Sequence, residues 1–383
     1  INYPDILKKI KVDEYIYLYD GIIRAKVIEI APNVKAQIEN SGTLSSRKGV
    51  NFPNTVINIE VITKKDEADI AWGVKNRVDY FAISFVQSAK DMRRARELLG
   101  DYKGKLIEKI EKFDAVSNID EIIEVSDGIM VARGDLGIEV PYYDVPTIQK
   151  MLIKKSNAKG IPVITATQML LSMTQNERAT RAEISDVANA VLDGTDIVML
   201  SEESAVGENP VNVVETMHNI ISQTEKIFDH EKRYKFTYLD EFDVIQATVT
   251  KLADDLSADG ILSLTSSGNS ARKMSRYRPI TPLYTFAHDK ETLTGLTALW
   301  GVEPITTVKE AQASKMIQRM LRSLEKREIL NKKGLYICTV GYPVGIPGST
   351  NTIKILTPSE IEFYLNFKEN REKIKTEKKV NLA

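Results

Sequence analysis

Short apolar runs alternate with helical patterns through the middle of the 383-residue chain. The apolar runs predict buried strands at residues 80–86, 105–110, 128–131, 162–166 and 196–200. Apolar positions at helical spacing predict helices at 89–99, 116–125, 145–158, 181–192 and 210–228. Five strand–helix units in succession indicate a parallel α/β sheet. The spacing suits either a (β/α) barrel or an open doubly wound sheet.

The two flanking regions follow different patterns. The pattern of residues 1–50 indicates short strands separated by turns and predicts a small β-rich module. After Tyr234 the alternation restarts, with a helix at 243–256 and strands at 260–264, 283–286 and 335–340. We interpret this region as a second, smaller α/β domain. The end of the chain mixes both charges densely and predicts a solvated helix or tail.

Composition narrows the classes of function. The 52 Lys+Arg residues nearly cancel the 53 Asp+Glu residues, so the chain lacks the basic footprint of a nucleic-acid or membrane-surface binder. No apolar run approaches the roughly 18 residues of a membrane span. The single cysteine, Cys338, fits a reducing cytoplasm. Only three histidines occur, which leaves carboxylates, lysines and hydroxyls as the candidate catalytic groups.

Polar side chains end several of the predicted strands, where the reactive groups of parallel α/β folds collect. Lys109 and Glu111 lie two residues apart and therefore on one face of their strand. Asp135 ends the next strand. One interpretation of Lys109 and Glu111 is a purely structural ion pair. However, two carboxylates from neighbouring strands, Glu111 and Asp135, also suit Mg²⁺. A lysine beside that ion would stabilise a transferring phosphoryl group or an enolate.

Three further strand-end residues have both structural and functional interpretations. Gly134 and Asp135 form a turn whose N–H groups suit a substrate carboxylate or phosphate. Thr167 suits orienting a water or relaying a proton, and it equally suits a hydroxyl bonded to backbone. Ser201 carries the same two interpretations. From these residues we predict a Mg²⁺-dependent enzyme that acts on a small anionic substrate.

Several motifs closely resemble the pyruvate kinase family in order and spacing. They are KIE at 109–111, SDGIMVARGDLGIE at 126–139, ATQML at 166–170 and TRAE at 180–183 followed by SDVANAVLDG at 185–194. The resemblance implies a TIM-type (β/α)8 barrel with an inserted β-rich domain and a C-terminal α/β domain. It places the latter part of the inserted domain at 1–50, barrel strands 4 to 8 at 51–230, the α/β domain at 231–357 and a charged tail at 358–383.

The same resemblance implies a reaction and the roles of the site residues. The family transfers a phosphoryl group from phosphoenolpyruvate to ADP, giving pyruvate and ATP in the last step of glycolysis. Lys109 then neutralises the transferring group, and Glu111 and Asp135 hold Mg²⁺ or Mn²⁺. Backbone N–H groups near Gly134 and Asp135 hold the substrate carboxylate, with Thr167 near the protonated carbon. Ser201 belongs to the water network behind it. A cytoplasmic homotetramer that uses K⁺ is also implied.

The sequence departs from the family pattern at Leu171, Ala179, Glu202 and Ser204 and in the number of barrel strands. Glu202 stands where the family usually has glycine, next to Ser201. Five of the eight barrel strands are found, so we expect the others, with the K⁺ ligands, to lie outside the given sequence. Two alternatives stay open. One is a carbon–carbon lyase with a Mg²⁺-enolate site. The other is a catalytically incomplete fragment or non-catalytic paralogue that keeps the fold and oligomer contacts.

A hydroxyl-rich loop in the C-terminal domain resembles the effector-binding loop of regulated pyruvate kinases. It contains Thr265, Ser266, Ser267, Gly268 and Ser270, and it opens a helix that carries basic residues. Hydroxyls and N–H groups at a helix N-terminus suit phosphate. Unregulated members carry similar loops, so the hypothesis of a phosphorylated effector stands beside a purely structural interpretation.

Overall fold

The computed structural model describes residues 4–19, 21–46, 48–53, 55, 60–230, 236–310, 312–341 and 350–367. The chain divides into two compact units. The first extends to Asn157 and includes Ile161–Ile227, and the second comprises Ala158–Gly160 and the chain from Phe228 onward.

The first unit begins with a small antiparallel sheet. A 3-10 turn at Pro4–Lys8 precedes the strands β1 (Tyr15–Leu18), β2 (Ile23–Glu29), β3 (Lys35–Ile38) and β4 (Val50–Asn51). Their order is β3-β2-β1-β4. Phe52 packs with Ile16 and Val27 in the core of this module. The module therefore extends beyond residue 50, the boundary that the sequence predicted, because β4 pairs with β1.

A five-stranded parallel sheet forms the rest of the first unit, in the order β5-β6-β7-β8-β9. Its strands are β5 (Tyr80–Ile83), β6 (Lys105–Ile110), β7 (Gly128–Ala132), β8 (Val163–Ala166) and β9 (Ile197–Val198). The helices are α1 (Lys64–Lys75), α2 (Ala89–Leu99), α3 (Phe113–Ser117), α4 (Ile119–Ile123), α5 (Arg133–Glu139), α6 (Val145–Lys159), α7 (Arg181–Asp193), α8 (Glu202–Ala205) and α9 (Pro210–Thr224). Within the described residues β5 and β9 do not pair, so the sheet stays open.

Local chemistry explains most of these boundaries. α7 begins with a capping box between Thr180 and Glu183 and ends at Gly194, whose φ of 93° suits glycine. The single helix predicted at 116–125 is wrong, because the structure has two short helices, α3 and α4. Asn118 lies between them at φ −98° and ψ 13°, and its side-chain amide donates to Gln87 O.

The second unit holds a mixed sheet in the order β12-β11-β10-β13-β14, in which β14 runs antiparallel to β13. Its strands are β10 (Gly260–Thr265), β11 (Leu283–Ala287), β12 (Val302–Thr307), β13 (Tyr336–Gly341) and β14 (Thr350–Leu356). Its helices are α10 (Glu241–Asp255), α11 (Asn269–Ser275), α12 (Lys290–Thr294), α13 (Ala313–Lys326) and α14 (Pro358–Leu365). Two apolar cores pack around this sheet.

The predicted charged tail at 358–383 is wrong for its first part. Residues 358–365 form α14, which opens with a capping box between Thr357 and Glu360. Ile361 on this helix is buried in the core of the second unit. Residues 368–383 lie outside the described residues. In the described part of the chain no helix is both long enough and apolar enough to cross a membrane.

Candidate active site

The end of β6 places a lysine against a buried carboxylate. Lys109 Nζ lies 2.5 Å from Glu111 Oε1 and donates to Ser84 Oγ at 3.0 Å. Lys109 is 26% exposed, whereas the Glu111 side chain is 1% exposed. The Phe85 N–H, at a residue with φ of 58°, donates to Glu111 Oε2 at 2.8 Å. The ammonium is therefore partly accessible to solvent, while its carboxylate partner is buried.

The electrostatics of Glu111 reflect both its burial and its neighbours. Burial raises the pKa of Glu111, and the negative charge of Asp135 raises it further. The hydrogen bond and positive charge of Lys109, and the Phe85 N–H, act in the opposite direction. The prediction that Asp135 ends a strand is wrong, because β7 ends at Ala132 and Asp135 lies on α5. The effect of Asp135 on the pKa of Glu111 indicates that these two carboxylates interact. A bound cation would relieve their repulsion.

The carboxylate pair has the donor chemistry of a hard divalent ion. Within the described residues, no three His, Cys, Asp or Glu side chains gather as a metal cluster. Glu111 and Asp135 supply two carboxylates, and Mg²⁺ commonly takes one or two carboxylates together with waters and substrate oxygens. The residues present therefore fit an ion that shares its coordination with a substrate.

Thr167 follows β8 and is bonded to the start of α5. Its Oγ1 accepts a hydrogen bond from the Gly134 N–H at 2.8 Å and donates one to Ala166 O at 2.7 Å. The structure thus joins two of the predicted site residues directly. The Gly134 N–H is already hydrogen-bonded to the Thr167 hydroxyl. A substrate carboxylate that bound this N–H would therefore have to displace Thr167.

Ser201 lies at the start of α8, after β9. Its N–H donates to Glu203 Oε2 at 2.7 Å, and Glu203 Oε1 accepts from the Leu170 N–H at 3.1 Å. Glu203 is 1% exposed, so it ties the segments after β8 and β9 together from inside. Glu202, the departure beside Ser201, is exposed to solvent.

Sequence reasoning missed the residues that hold the site in place. Arg133, the first residue of α5, contacts Ala166 O, Thr167 O and Asp186 through its guanidinium. Ser84, which follows the end of β5, accepts a hydrogen bond from the Lys109 ammonium. Strand-end position predicted the candidate site residues, but the contacts of Arg133 and Ser84 join distant parts of the chain and leave no local sequence pattern.

The hydroxyl-rich loop of the second unit uses much of its polarity internally. Thr265 Oγ1 is buried and accepts from the Gly268 N–H at 2.9 Å, and Ser270 Oγ lies 2.9 Å from Thr350 Oγ1. The carbonyl of Ser266 accepts from Thr292 Oγ1 at 3.4 Å. Ser267 is exposed.

Two basic residues, one on α11 and one directly after it, are engaged elsewhere. Lys273 is paired with Asp240, and the buried Arg276 is paired with Asp243. Neither contact involves the loop.

Comparison with known proteins agrees with this geometry. The first unit is a parallel α/β sheet with Lys109 and Glu111 at the end of β6 and Asp135 on the helix that follows β7, and in α/β enzymes polar groups collect at this edge of the sheet. Residues 1–214 match the family model "Pyruvate kinase, barrel domain", and residues 243–356 match "Pyruvate kinase, alpha/beta domain". The chain belongs to the pyruvate kinase family, which is a family of phosphotransferases.

Several curated relatives are similar over most of the chain. A pyruvate kinase of Bacillus licheniformis is 40% identical over 371 residues, which cover 94% of this chain and 63% of the relative. One of Clostridium acetobutylicum is 40% identical over 363 residues, covering 93% and 77%. One of Staphylococcus aureus strain MRSA252 is 40% identical over 364 residues, covering 93% and 62%. The chain therefore spans less than two thirds of two of these relatives.

Proposed function

We propose that the protein transfers the phosphoryl group of phosphoenolpyruvate to ADP, giving pyruvate and ATP as the last step of glycolysis. The observation that carries this proposal is the partly exposed Lys109 ammonium paired with buried Glu111, whose pKa the charge of Asp135 on α5 raises, in a chain of this family. In the reaction the bond from phosphorus to the C2 oxygen breaks and a bond to the terminal phosphate oxygen of ADP forms. The remaining enolate takes a proton at C3.

The chain's own residues supply charge and orientation for these steps. The Lys109 ammonium stabilises negative charge on the transferring group and on the enolate oxygen. Glu111 and Asp135 hold Mg²⁺ or Mn²⁺, which supplies further positive charge to substrate oxygens when bound. Backbone N–H groups near Gly134 and Asp135 orient the substrate carboxylate, Thr167 lies near C3, and Ser201 belongs to the water network beside it.

The proposal extends to the setting of the enzyme. By family membership we infer a cytoplasmic homotetramer that uses K⁺, binds ADP and ATP, and has neither a nucleic-acid nor a membrane partner. Light scattering in solution would test the tetramer, and replacing K⁺ by Na⁺ in the assay would test the monovalent ion.

Pyruvate formation from phosphoenolpyruvate and ADP, with and without Mg²⁺, tests the proposed activity. We expect pyruvate to form only with the metal. A second candidate, a catalytically incomplete fragment or non-catalytic paralogue, is favoured by the sheet of the first unit, whose outer strands β5 and β9 do not pair within the described residues. Absence of pyruvate with Mg²⁺, Mn²⁺ and K⁺ all present would support that candidate.

A further inference from the structure

The Arg133 guanidinium joins three parts of the first unit. Its Nη2 donates to Thr167 O at 2.7 Å and its Nε donates to Ala166 O at 3.2 Å. Its Nη1 donates to Asp186 on α7 at 2.7 Å. The Arg133 side chain is 11% exposed. All three guanidinium nitrogens therefore have partners, and two of those partners are the consecutive backbone carbonyls of Ala166, the last residue of β8, and Thr167.

The backbone that receives these bonds is held in an unfavourable conformation. Thr167 has φ of 69° and Gln168 has φ of 56°. Left-handed backbone costs about 1–3 kcal/mol for a non-glycine residue, and a β-branched residue disfavours it further. Such a turn persists only where its surroundings hold it. Arg133 provides two of the bonds that do so.

The same turn sets the position of the Thr167 hydroxyl. Thr167 Oγ1 is bonded to the Gly134 N–H and to Ala166 O, and Ala166 O also accepts from Arg133. Gly134 follows Arg133 in the chain. A shift of the guanidinium would therefore move both the turn that carries the hydroxyl and the N–H to which the hydroxyl is bonded.

We propose that Arg133, itself oriented by Asp186, is a positioning residue that fixes the Thr167 hydroxyl at the carbon where the enolate is protonated. The proposal rests on the proposed function. Lysine cannot replace Arg133, because an ammonium lacks the planar fork that reaches two carbonyls and a carboxylate together. Loss of Arg133 should slow proton transfer at C3 more than it weakens nucleotide binding.

The test uses Arg133→Lys, Arg133→Ala and Asp186→Asn, with Arg96→Lys as the matched control. Arg96 also links a backbone carbonyl, Gly104 O at 3.0 Å, to an aspartate, Asp127. The proton step is read without phosphoryl transfer as exchange of the pyruvate methyl hydrogens in D₂O, followed by NMR. The KM for ADP and the melting temperature are measured alongside.

We expect both Arg133 variants to lose about 100-fold in methyl exchange, the loss typical of a small misplacement. The KM for ADP should change less than about threefold, and Arg96→Lys should behave as the wild type. Arg133 also lines a cavity of about 900 Å³, so added guanidinium ion should partly restore Arg133→Ala. Equal losses in Arg133→Lys and Arg96→Lys, or unchanged exchange in Arg133→Lys, would overturn the proposal.

A second readout separates this inference from the proposed function. Amide hydrogen exchange at Gly134 reports whether its N–H is still bonded to Thr167. If the wild type neither transfers phosphoryl groups nor exchanges pyruvate protons, the proposed function fails. The positioning of Thr167 is then judged on the amide alone. Faster Gly134 exchange in Arg133→Lys but not in Arg96→Lys supports it, and unchanged exchange refutes it.

Discussion

The two units place polar residues at the ends of parallel strands, yet they use them differently. At the end of β6 a partly exposed lysine is balanced by a carboxylate that is 1% exposed. At the end of β10 the Thr265 hydroxyl is bonded to the backbone of its own loop. The first arrangement keeps a charged group partly exposed to solvent, whereas the second uses a hydroxyl to close a turn. Equivalent positions in related topologies therefore do not imply equivalent chemistry.

Removing the Lys109 charge should have the largest effect. Lys109→Met should lower kcat by several hundredfold, because losing one preorganised donor at developing negative charge costs about 3 to 4 kcal/mol. Steady-state kinetics and a thermal melt together measure this. Lys105→Met is the matched control, since Lys105 starts the same strand and pairs with Asp127 at 3.3 Å. Near-normal turnover in Lys109→Met would remove the proposed role.

Glu108 should make the stability of the fold depend on pH. This side chain on β6 is fully buried, and neither of its oxygens has a hydrogen-bond partner among the described residues. Burial, together with the charge of Asp91 on α2, raises the pKa of Glu108 to about 8. Between about pH 4.5 and 8, Glu108 is protonated in the folded protein but ionised in the unfolded chain. The free energy of unfolding therefore falls as pH rises through that range.

Glu108→Gln removes the titration while keeping a similar shape. We expect the variant to exceed the wild type in free energy of unfolding by about 4 kcal/mol at pH 8 and to match it near pH 4.5. Denaturant unfolding at both pH values measures the difference. Glu121→Gln, whose carboxylate accepts from the Ala89 N–H, serves as a control. An equal difference at both pH values would contradict the assignment.

Metal affinity should depend on both Glu111 and Asp135. Glu111→Gln and Asp135→Asn should each weaken Mn²⁺ binding at least about tenfold, since even residues outside the ligand shell commonly contribute that much. Calorimetric titration measures the affinity. Asp120→Asn, at an exposed residue paired with Lys155, is the control. Unchanged affinity in both site variants would remove the metal assignment.

The smallest expected effect concerns the loop of the second unit. If a phosphorylated effector binds there, sugar phosphates or nucleotides should raise the melting temperature of the wild type more than that of Thr265→Ala/Ser267→Ala. Thermal-shift screening measures this, with inorganic phosphate as the reference compound. Because Thr265 is bonded to Gly268, the double variant should also melt lower without ligand. Equal shifts in both proteins would end the effector hypothesis.

The sequence predicted the strands of the parallel sheet well because each is a short apolar run bounded by polar residues. The strand at Lys105–Ile110 and the helix at Ala89–Leu99 have the predicted bounds. The helix at Lys64–Lys75 was not predicted, since only Ile70 and Gly73 are buried on it and its apolar periodicity is weak. The strand at Thr350–Leu356 was also missed, because its interior positions are partly or fully exposed.

The candidate site was predictable in its residues but not in its bonds. Alternation along β6 places Lys109 and Glu111 on one face, and the structure has them as an ion pair. The left-handed backbone at Thr167 and the three-way contact of Arg133 depend on segments that meet only in the folded chain. Neither threonine nor glutamine at a strand end indicates a positive φ, so local sequence gave no sign of this turn.

The contrast between the two strand ends is tested most directly by following phosphorus through the reaction. ³¹P NMR would follow mixtures of phosphoenolpyruvate and ADP that contain Mg²⁺. Each mixture would receive one protein: the wild type, Lys109→Met or Thr265→Ala/Ser267→Ala. We predict that the γ-phosphate signal of ATP grows at similar rates with the wild type and the double variant and is almost absent with Lys109→Met. ATP formation by Lys109→Met at the wild-type rate, or none by the wild type, would contradict the account.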